Sequence, residues 1–538
     1  MNVSQVGPRA SSLLGMWLGT RWLLLLLALA APVLALLRTG LHGIALHGDS
    51  VTYIAVARNL TAGVGYTHFD GTPLTGWAPL YPTLLALIDL ALGVDPLSGA
   101  RFFDAAVFGL IVYFAGLLFQ RYLTQPFLVV VGTAFVLLSP DMLRLSTYGL
   151  SEPFFILLTI AFLLGMNRYL NKNSLQTLLL TAIVVGLAGV TRYIGVTLIL
   201  AGAAAILFNR RCTVRTRILH LLFFCAVASL PLLLWAFRNI QLTGLPTDTR
   251  GPSKYPLYYN LYYAFVFHLN WFFPVHFIGV TATSRGALAV LAAVTGYLAG
   301  ALLKPKDLVR LLRLGSLKLD AVSIFYITYV SFLVALSTVI GIERIGYRYL
   351  APAFVPAVLI ILYIMEQELS STGKTVAIGL MGTRARLPRS PLVIALLAGV
   401  FAIAAVREVV TIARPVEPDD NVNHIAWQTS DTIQLARRIW LSQGEGIVMY
   451  SNVPFALYAQ AGIPARWVPA AKRHQSSEPR RPVESLVGLW PETPRAYLVW
   501  FDAQEKGQLF GVESLQKIAD FTRIARLEDG TVYEVTDR

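Results

Sequence analysis

Long runs of apolar residues recur along most of the chain, and polar positions are largely confined to the segments between them. An α-helix needs about 20 such residues to cross a bilayer. The runs are continuous rather than alternating, which favours helices over a membrane barrel. The pattern therefore predicts a polytopic α-helical membrane protein with about 11 spans. They lie near 20–38, 102–120, 125–139, 151–169, 175–190, 193–208, 217–236, 286–303, 320–340, 347–365 and 390–412.

Two shorter patterns between the first two spans predict helices that do not cross the membrane. The apolar stretch 79–93, "PLYPTLLALIDLALG", opens with two prolines and is interrupted by Asp89, which favours an interfacial or re-entrant helix. Just upstream, apolar residues recur every third position from 51 to 60. That spacing predicts a helix lying in the membrane interface.

Composition and charge agree with a membrane protein. Of the 538 residues 56% are hydrophobic and only 14% are charged, with a mean hydropathy of +0.61. A net charge of +14 would suggest nucleic acid in a soluble protein, but here much of the Lys and Arg lies in short loops between spans. In such loops positive charge sets membrane orientation. No nucleic-acid-binding module is recognisable, so nucleic acid is not an expected partner.

The basic loops predict the orientation of the chain. Segments 209–217, 304–318 and 374–389 are rich in Lys and Arg and are expected on the cytoplasmic side. The remaining loops, 39–101, 139–150, 237–285 and 341–346, then face outward. With an odd number of spans the N-terminus lies inside and the C-terminal tail outside. The expected location is the plasma membrane, or inner membrane, with the tail periplasmic or extracellular.

The chain divides into a membrane domain, 1–412, and a soluble tail, 413–538. In the tail, helix-like "SDTIQLARRIWL" and "VPFALYAQAG" alternate with strand-like "GIVMYS", "RAYLVWF" and "TVYEV". This alternation predicts a small α/β domain.

The first outward loop, 39–101, contains the leading candidate for chemistry, Asp49 in "HGDSVTYIAVARNL". One interpretation is that Asp49 caps the helix that follows it. Similarly, Glu152 in "SEPFFILL" suits the first turn of a helix beside Pro153. Arg192 in "TRYIG" falls inside a long apolar stretch, where it must face a cavity or partner, or snorkel to the surface.

Taken together, these residues favour catalysis, because they map to one side of the membrane. Asp49 and Glu152 share that side with Arg58, Arg192 and Arg348. A carboxylate beside fixed guanidinium groups suits transfer from a phosphate-linked donor, since the base takes a proton while the cations stabilise the leaving phosphate. No P-loop sequence is present. An outward site has no access to cytosolic nucleotide sugars, which favours a lipid-linked donor.

Four segments in this order resemble the GT-C superfamily of membrane glycosyltransferases over roughly residues 20–410. The nearest group is that of protein O-mannosyltransferases and aminoarabinose transferases. The segments are "GDSVTYIAVARNL…GVGY…GTPLTGWAPLYPTLLAL", "SEPFFILL", "TRYIG" and "RYLAPAFVPAVLI". The resemblance implies that Asp49 is the essential aspartate of the first loop and that Arg348 contacts the donor phosphate. Glu152 and Arg192 would line the same cavity.

The resulting prediction is an inverting glycosyltransferase that moves a sugar, hexose or pentose, from a polyprenyl-phosphate donor to an acceptor on the outer membrane face. Asp49 is the predicted general base. Substrate-binding roles are assigned to Glu152, Arg58, Arg192, Tyr347 and Arg348. Lipid, glycan and protein acceptors all remain open, and membrane lipids are further expected partners.

Three alternatives remain at this stage. A divalent metal ion is an open cofactor, with His47 and His268 as weak candidate ligands, although no HxxxH spacing is present. A transporter or lipid flippase would need ionisable residues at mid-membrane, and Arg192 is the single candidate. A non-catalytic scaffold would tolerate replacement of Asp49.

Overall fold

The computed structural model describes residues 8–272, 320–369, 375–380, 383–416, 421–444, 446–502 and 507–538. The span predicted at 286–303 and the basic loop 304–318 lie outside the described residues. The described part is a mostly helical bundle that carries a small C-terminal sheet.

The described part of the bundle contains fourteen helices. They are α1 (Pro8–His42), α2 (Gly48–Thr61), α3 (Leu80–Leu92), α4 (Pro96–Tyr122), α5 (Pro126–Leu137), α6 (Pro140–Leu145), α7 (Glu152–Lys172), α8 (Leu175–Thr191), α9 (Val196–Leu207), α10 (Val214–Thr243), α11 (Leu257–Phe272), α12 (Asp320–Val339), α13 (Tyr347–Leu369) and α14 (Arg389–Ala413). A hairpin of β1 (Thr375–Leu380) and β2 (Thr383–Pro388) precedes α14.

Within the described ranges, six helices are long and apolar enough to span a bilayer, so the protein is embedded in the membrane by several spans. They lie in α1, α4, α7, α10, α12 and α13. Predicted spans 125–139, 175–190 and 193–208 correspond to the shorter helices α5, α8 and α9, of 12, 17 and 12 residues. These are shorter than the length of about 20 residues that a full crossing needs. Segment 79–93 forms the short helix α3, as predicted.

Close packing of small residues joins the bundle. Gly109 of α4 faces α1 so closely that a Cβ there would lie 2.9 Å from the carbonyl oxygen of Ala28. Gly116, two turns further along α4, faces Leu24 of α1 in the same way. Small residues let membrane helices approach in this manner, since lipid supplies no hydrophobic driving force between them.

The helix predicted at 50–60 exists as α2, and other parts of the protein, rather than lipid alone, cover its apolar face. Every residue from Ser50 to Ala57 is buried. The helix packs against α3 and against the C-terminal domain, which shares one hydrophobic core with it. The three-residue apolar spacing marks only the most apolar face of a helix that is covered on its other faces as well.

The C-terminal domain contains a five-stranded sheet in the order β4-β3-β5-β7-β6. Its strands are β3 (Val448–Ser451), β4 (Arg466–Trp467), β5 (Arg495–Phe501), β6 (Ala519–Arg526) and β7 (Gly530–Asp537). β3 pairs parallel to β4 and β5, whereas β7 pairs antiparallel to β5 and β6. The helices are α15 (Ile425–Gln428), α16 (Asp431–Gln443), α17 (Pro454–Ala461) and α18 (Val512–Leu515). The predicted α/β alternation is therefore present, with β4 and β6 as additional strands.

Hydrogen bonds from two asparagine side chains and one backbone N–H attach this domain to the segment that leads into α2. The Asn421 side-chain oxygen accepts a hydrogen bond from the backbone N–H of Leu46 at 2.9 Å, and the N–H of Val422 donates to the Leu46 carbonyl at 3.0 Å. The Asn423 amide donates to the carbonyl of Ile44 at 2.9 Å. The domain thus holds the backbone that positions the first turn of α2.

Candidate active site

Asp49 lies in the first turn of α2, and its carboxylate points at other elements rather than at its own helix. The N-cap is His47, whose backbone N–H donates to Ser50 Oγ at 3.2 Å, so the interpretation of Asp49 as the cap is wrong. Asp49 Oδ1 accepts a hydrogen bond from Trp77 Nε1 at 3.1 Å. Its Oδ2 accepts one from Arg348 Nη2 at 2.7 Å.

Arg348, at the start of α13, joins Asp49 to a second carboxylate. Its Nε donates to Glu152 Oε1 at 2.8 Å, and its Nη2 lies 2.8 Å from the same oxygen. The other oxygen of Glu152 lies 2.8 Å from Arg192 Nη1. Two carboxylates and two guanidinium groups from four separate segments therefore form one continuous cluster, called here the Asp49–Arg192 cluster.

Exposure differs strongly within this cluster. The Glu152 side chain, at the first residue of α7, is 1% exposed, whereas that of Asp49 is 34% exposed. The Arg192 and Arg348 side chains are 18% and 16% exposed. Arg192 thus pairs with a buried acid instead of snorkelling to the surface. Glu152 lies between the two arginines, and Asp49 is the more exposed of the two carboxylates.

The surroundings of Asp49 keep its carboxylate ionised. Burial by itself would raise the pKa of Asp49, but the charge and hydrogen bond of Arg348 oppose this effect, as do the Trp77 N–H and the charge of Arg192. The net result is a pKa below the ordinary value of 3.8. At neutral pH Asp49 can accept a proton without first losing one.

The two arginines keep donors that the cluster does not use. A guanidinium group has five N–H donors. Among the described residues, Arg348 Nη1 and Arg192 Nη2 make no hydrogen bond. The charges of the two carboxylates and the two guanidinium groups sum to zero, so the cluster does not repel an entering anion. The unused N–H groups of the arginines can then donate to that anion.

The predicted set of site residues left out three supporting residues. Trp77 holds one oxygen of Asp49, as described above. Ser151 Oγ accepts a hydrogen bond from Arg192 Nη1 at 3.1 Å and lies 3.0 Å from the hydroxyl of Tyr53. Trp77 and Tyr53 lie in the first outward loop and Ser151 directly precedes Glu152, so proximity in sequence was the available signal.

Two predicted substrate-binding residues are not part of the cluster. Arg58 follows Asp49 by nine residues, about 13 Å along α2. It forms an ion pair with Asp95 at 2.9 Å, and its side chain is 40% exposed. Tyr347 directly precedes Arg348 but packs against the hydrophobic core of the bundle. Within the described residues, neither side chain forms a hydrogen bond or ion pair with Asp49 or Glu152.

The two histidines considered for a metal lie on different elements. The ring of His47 packs against Tyr148, with centroids 4.9 Å apart. His268, on α11, places Nδ1 2.6 Å from the carbonyl oxygen of Ala264 and packs against Trp271. In the described part of the chain, no group of three His, Cys, Asp or Glu side chains could hold a metal ion.

Comparison with known proteins shows that the fold of the chain is a known one. Residues 77–235 match the model of the dolichyl-phosphate-mannose-protein mannosyltransferase family. The solved structure of ArnT from Cupriavidus metallidurans in the apo state covers 95% of this chain and 97% of its own, with a TM-score of 0.57 at 12% identity. The chain has the GT-C fold. The predicted resemblance to the GT-C superfamily is thereby confirmed.

Two further structures with the GT-C fold hold ligands or ions. ArnT bound to undecaprenyl phosphate superposes with a TM-score of 0.54 at 13% identity, over 95% of this chain and 97% of that one. The oligosaccharyltransferase of Archaeoglobus fulgidus, in complex with zinc and sulfate, gives 0.52 at 13% identity, over 94% and 72%. No curated protein sequence matches the chain. At these identities the likeness establishes the fold, and the chemistry has to be argued from this chain's own residues.

Proposed function

We propose that this protein is an inverting glycosyltransferase that uses a polyprenyl-phosphate-linked sugar at the outer face of the plasma membrane. The observation that carries the proposal is the Asp49–Arg192 cluster. It combines an ionised, partly exposed carboxylate with guanidinium donors left free, which are the two features that sugar transfer from a phosphate requires.

The transfer is a single displacement at the anomeric carbon. The acceptor hydroxyl gives its proton to Asp49 as its oxygen forms a bond to that carbon. The bond from carbon to the phosphate oxygen breaks, and its electron pair remains on the lipid phosphate. Free N–H groups of Arg348 and Arg192 stabilise the growing negative charge. Because attack and departure occur on opposite faces of the sugar, the configuration inverts.

Polyprenyl phosphate as the carrier is supported by two observations. The bundle contains an apolar cavity of about 390 Å³ between α5, α11, α12, α13 and α14, lined by residues such as Phe135, Leu269, Val358 and Phe401. Such a cavity suits an isoprenoid chain. Among proteins with this fold, ArnT is solved bound to undecaprenyl phosphate, and AglB from Archaeoglobus fulgidus with dolichol-phosphate and an inhibitory peptide.

The direct test is transfer by the purified full-length protein in proteoliposomes. Polyprenyl-phosphate hexoses and pentoses, each radiolabelled in the sugar, are supplied with membrane extract as the source of acceptor. We expect release of polyprenyl phosphate coupled to label in an acceptor fraction, for at least one donor. Movement of an intact donor across the bilayer, without release of the carrier, would contradict the proposal and support a flippase.

Replacing Trp77 by Phe tests the hydrogen bond that lowers the pKa of Asp49. The substitution removes the Nε1 donor at 3.1 Å from Oδ1 and keeps an aromatic ring. A hydrogen bond to a charged group contributes about 1.5–3 kcal/mol, so the pKa of Asp49 should rise by about one unit or more. Since the base acts in its ionised form, the acid limb of the kcat/KM profile should move to higher pH.

The matched control for this pH measurement is Trp22→Phe on α1. Trp22 is 67% exposed on the side of the bundle and lies far from the cluster. Its profile should coincide with that of the wild type. An acid limb that stays unchanged in Trp77→Phe would show that Asp49 is not the group that titrates in the reaction.

A further inference from the structure

A second cavity lies at the end of the bundle opposite the Asp49–Arg192 cluster. It has a volume of about 550 Å³ and lies between α1, α4 and α7. Arg21, Arg121 and Arg168 line it, together with Gln120. Arg168 follows Glu152 by 16 residues on α7, about 24 Å along the helix axis. The cavity therefore cannot belong to the candidate active site.

The charge in this cavity is uncompensated. None of the residues that line it is acidic. Among the described residues, the guanidinium groups of Arg21, Arg121 and Arg168 have no ion-pair or hydrogen-bond partner. Gln120 Nε2 is buried and likewise has no hydrogen-bond partner there. Three cations and a buried N–H donor thus line one space, and no acidic side chain lines it with them.

Phosphate is the anion that this donor set fits best. Arginine presents planar N–H pairs that match phosphate oxygens, and several guanidinium groups can share one phosphate. Basic pockets between membrane helices are typical binding sites for lipid headgroups. Leu117 of α4 and Leu164 of α7 also line the cavity and offer apolar surface for the start of an acyl or prenyl chain.

We propose that this cavity, the Arg21–Arg168 cavity, binds the phosphate group of an anionic lipid from the adjacent leaflet. The site is separate from the proposed sugar transfer and does not depend on it. A lipid held between α1, α4 and α7 would contact the end of α7 opposite to the one that presents Glu152.

The test compares two triple variants of the full-length protein that lose the same charge. R21Q/R121Q/R168Q empties the cavity of cations. K172Q/R210Q/R215Q removes three exposed cations from the ends of α7 and α10 and the loop before α10, outside the cavity. Each protein is reconstituted with phosphatidylcholine containing a minor fraction of phosphatidylglycerol, and lipid retained after mild solubilisation is measured by native mass spectrometry.

We expect the wild type and the control variant to retain one phosphatidylglycerol per chain. The cavity variant should bind it about a hundredfold more weakly, because each cation near the membrane surface contributes about a factor of five. Equal retention by all three proteins, or an equal loss in both variants, would overturn the proposal, since general surface charge would then account for binding.

A second arm separates the two possible sources of phosphate. Inorganic phosphate is titrated against the retained phosphatidylglycerol of the wild type. Displacement only at concentrations far above that of the lipid assigns the site to a lipid headgroup, as proposed. Displacement at equal concentration would overturn the lipid assignment and identify the cavity as a site for free phosphate.

Discussion

Replacing Asp49 by Asn is expected to lower kcat for sugar transfer by about 10²–10⁴-fold, the usual contribution of a positioned general base. The amide has nearly the same shape and can still accept the Trp77 hydrogen bond at Oδ1. It cannot accept the acceptor's proton, however, and it removes the negative charge 2.7 Å from Arg348. The measurement is the rate of polyprenyl phosphate release at saturating donor. KM for the donor should change much less than kcat.

Asp70→Asn provides the matched control, since it makes the same chemical change in the same loop. Asp70 is partly exposed and accepts hydrogen bonds only locally, from the backbone N–H and the hydroxyl of Thr72. The Asp70→Asn variant should transfer sugar at the wild-type rate. Wild-type kcat in Asp49→Asn would remove Asp49 from the role of base and would instead favour a non-catalytic scaffold.

Much of the cluster could be predicted from sequence because membrane topology restricts where residues can meet. A helix that spans a bilayer places its ends on known sides, so Asp49, Glu152, Arg192 and Arg348 could be assigned to one face before any contact was known. A charged residue inside an apolar stretch, as Arg192 is, is costly unless it meets a partner or a cavity, which favoured contact with an acid. The position of Glu152 between two arginines depends on how the helices pack, and no sequence pattern predicts it.

The surroundings of the cluster were less predictable. Arg58 shares the outward side with Asp49 but is directed to Asp95 by the geometry of α2. The burial of α2 depends on a domain almost 400 residues later in the chain, through contacts such as Asn421 with Leu46. Period and composition report local structure, and they contain no information about which distant segment covers a helix. Strand β6 was missed for a related reason, since its exposed positions outnumber its buried ones and its apolar pattern is weak.

Glu152→Gln should be the most destabilising change in the cluster. The carboxylate is 1% exposed and separates Arg192 from Arg348, with an N–O distance of 2.8 Å to each. Removing one partner of a buried ion pair costs about 3–5 kcal/mol, because the remaining charge is left uncompensated. Here two guanidinium groups lose their shared partner at once. The apparent unfolding temperature of the protein in proteoliposomes should fall by several degrees, and kcat should fall with it as Arg348 loses its position.

The double variant Glu152→Gln with Arg192→Gln distinguishes two causes of lost stability, the unpaired charge and the altered hydrogen-bond geometry. It removes one charge of each sign, so it should be more stable than Glu152→Gln alone if unpaired charge causes the loss. A double variant that is less stable than the single one would show that hydrogen-bond geometry, rather than charge, holds these helices together. Because Arg348 keeps Asp49 as its ion partner in both variants, any difference between them reports on the pair of Glu152 and Arg192. Arg192 contacts one oxygen of Glu152, and Arg348 contacts the other oxygen and the proposed base, Asp49. The pair of Glu152 and Arg192 therefore acts on Asp49 only through Arg348, by keeping Glu152 in place as the second partner of that arginine.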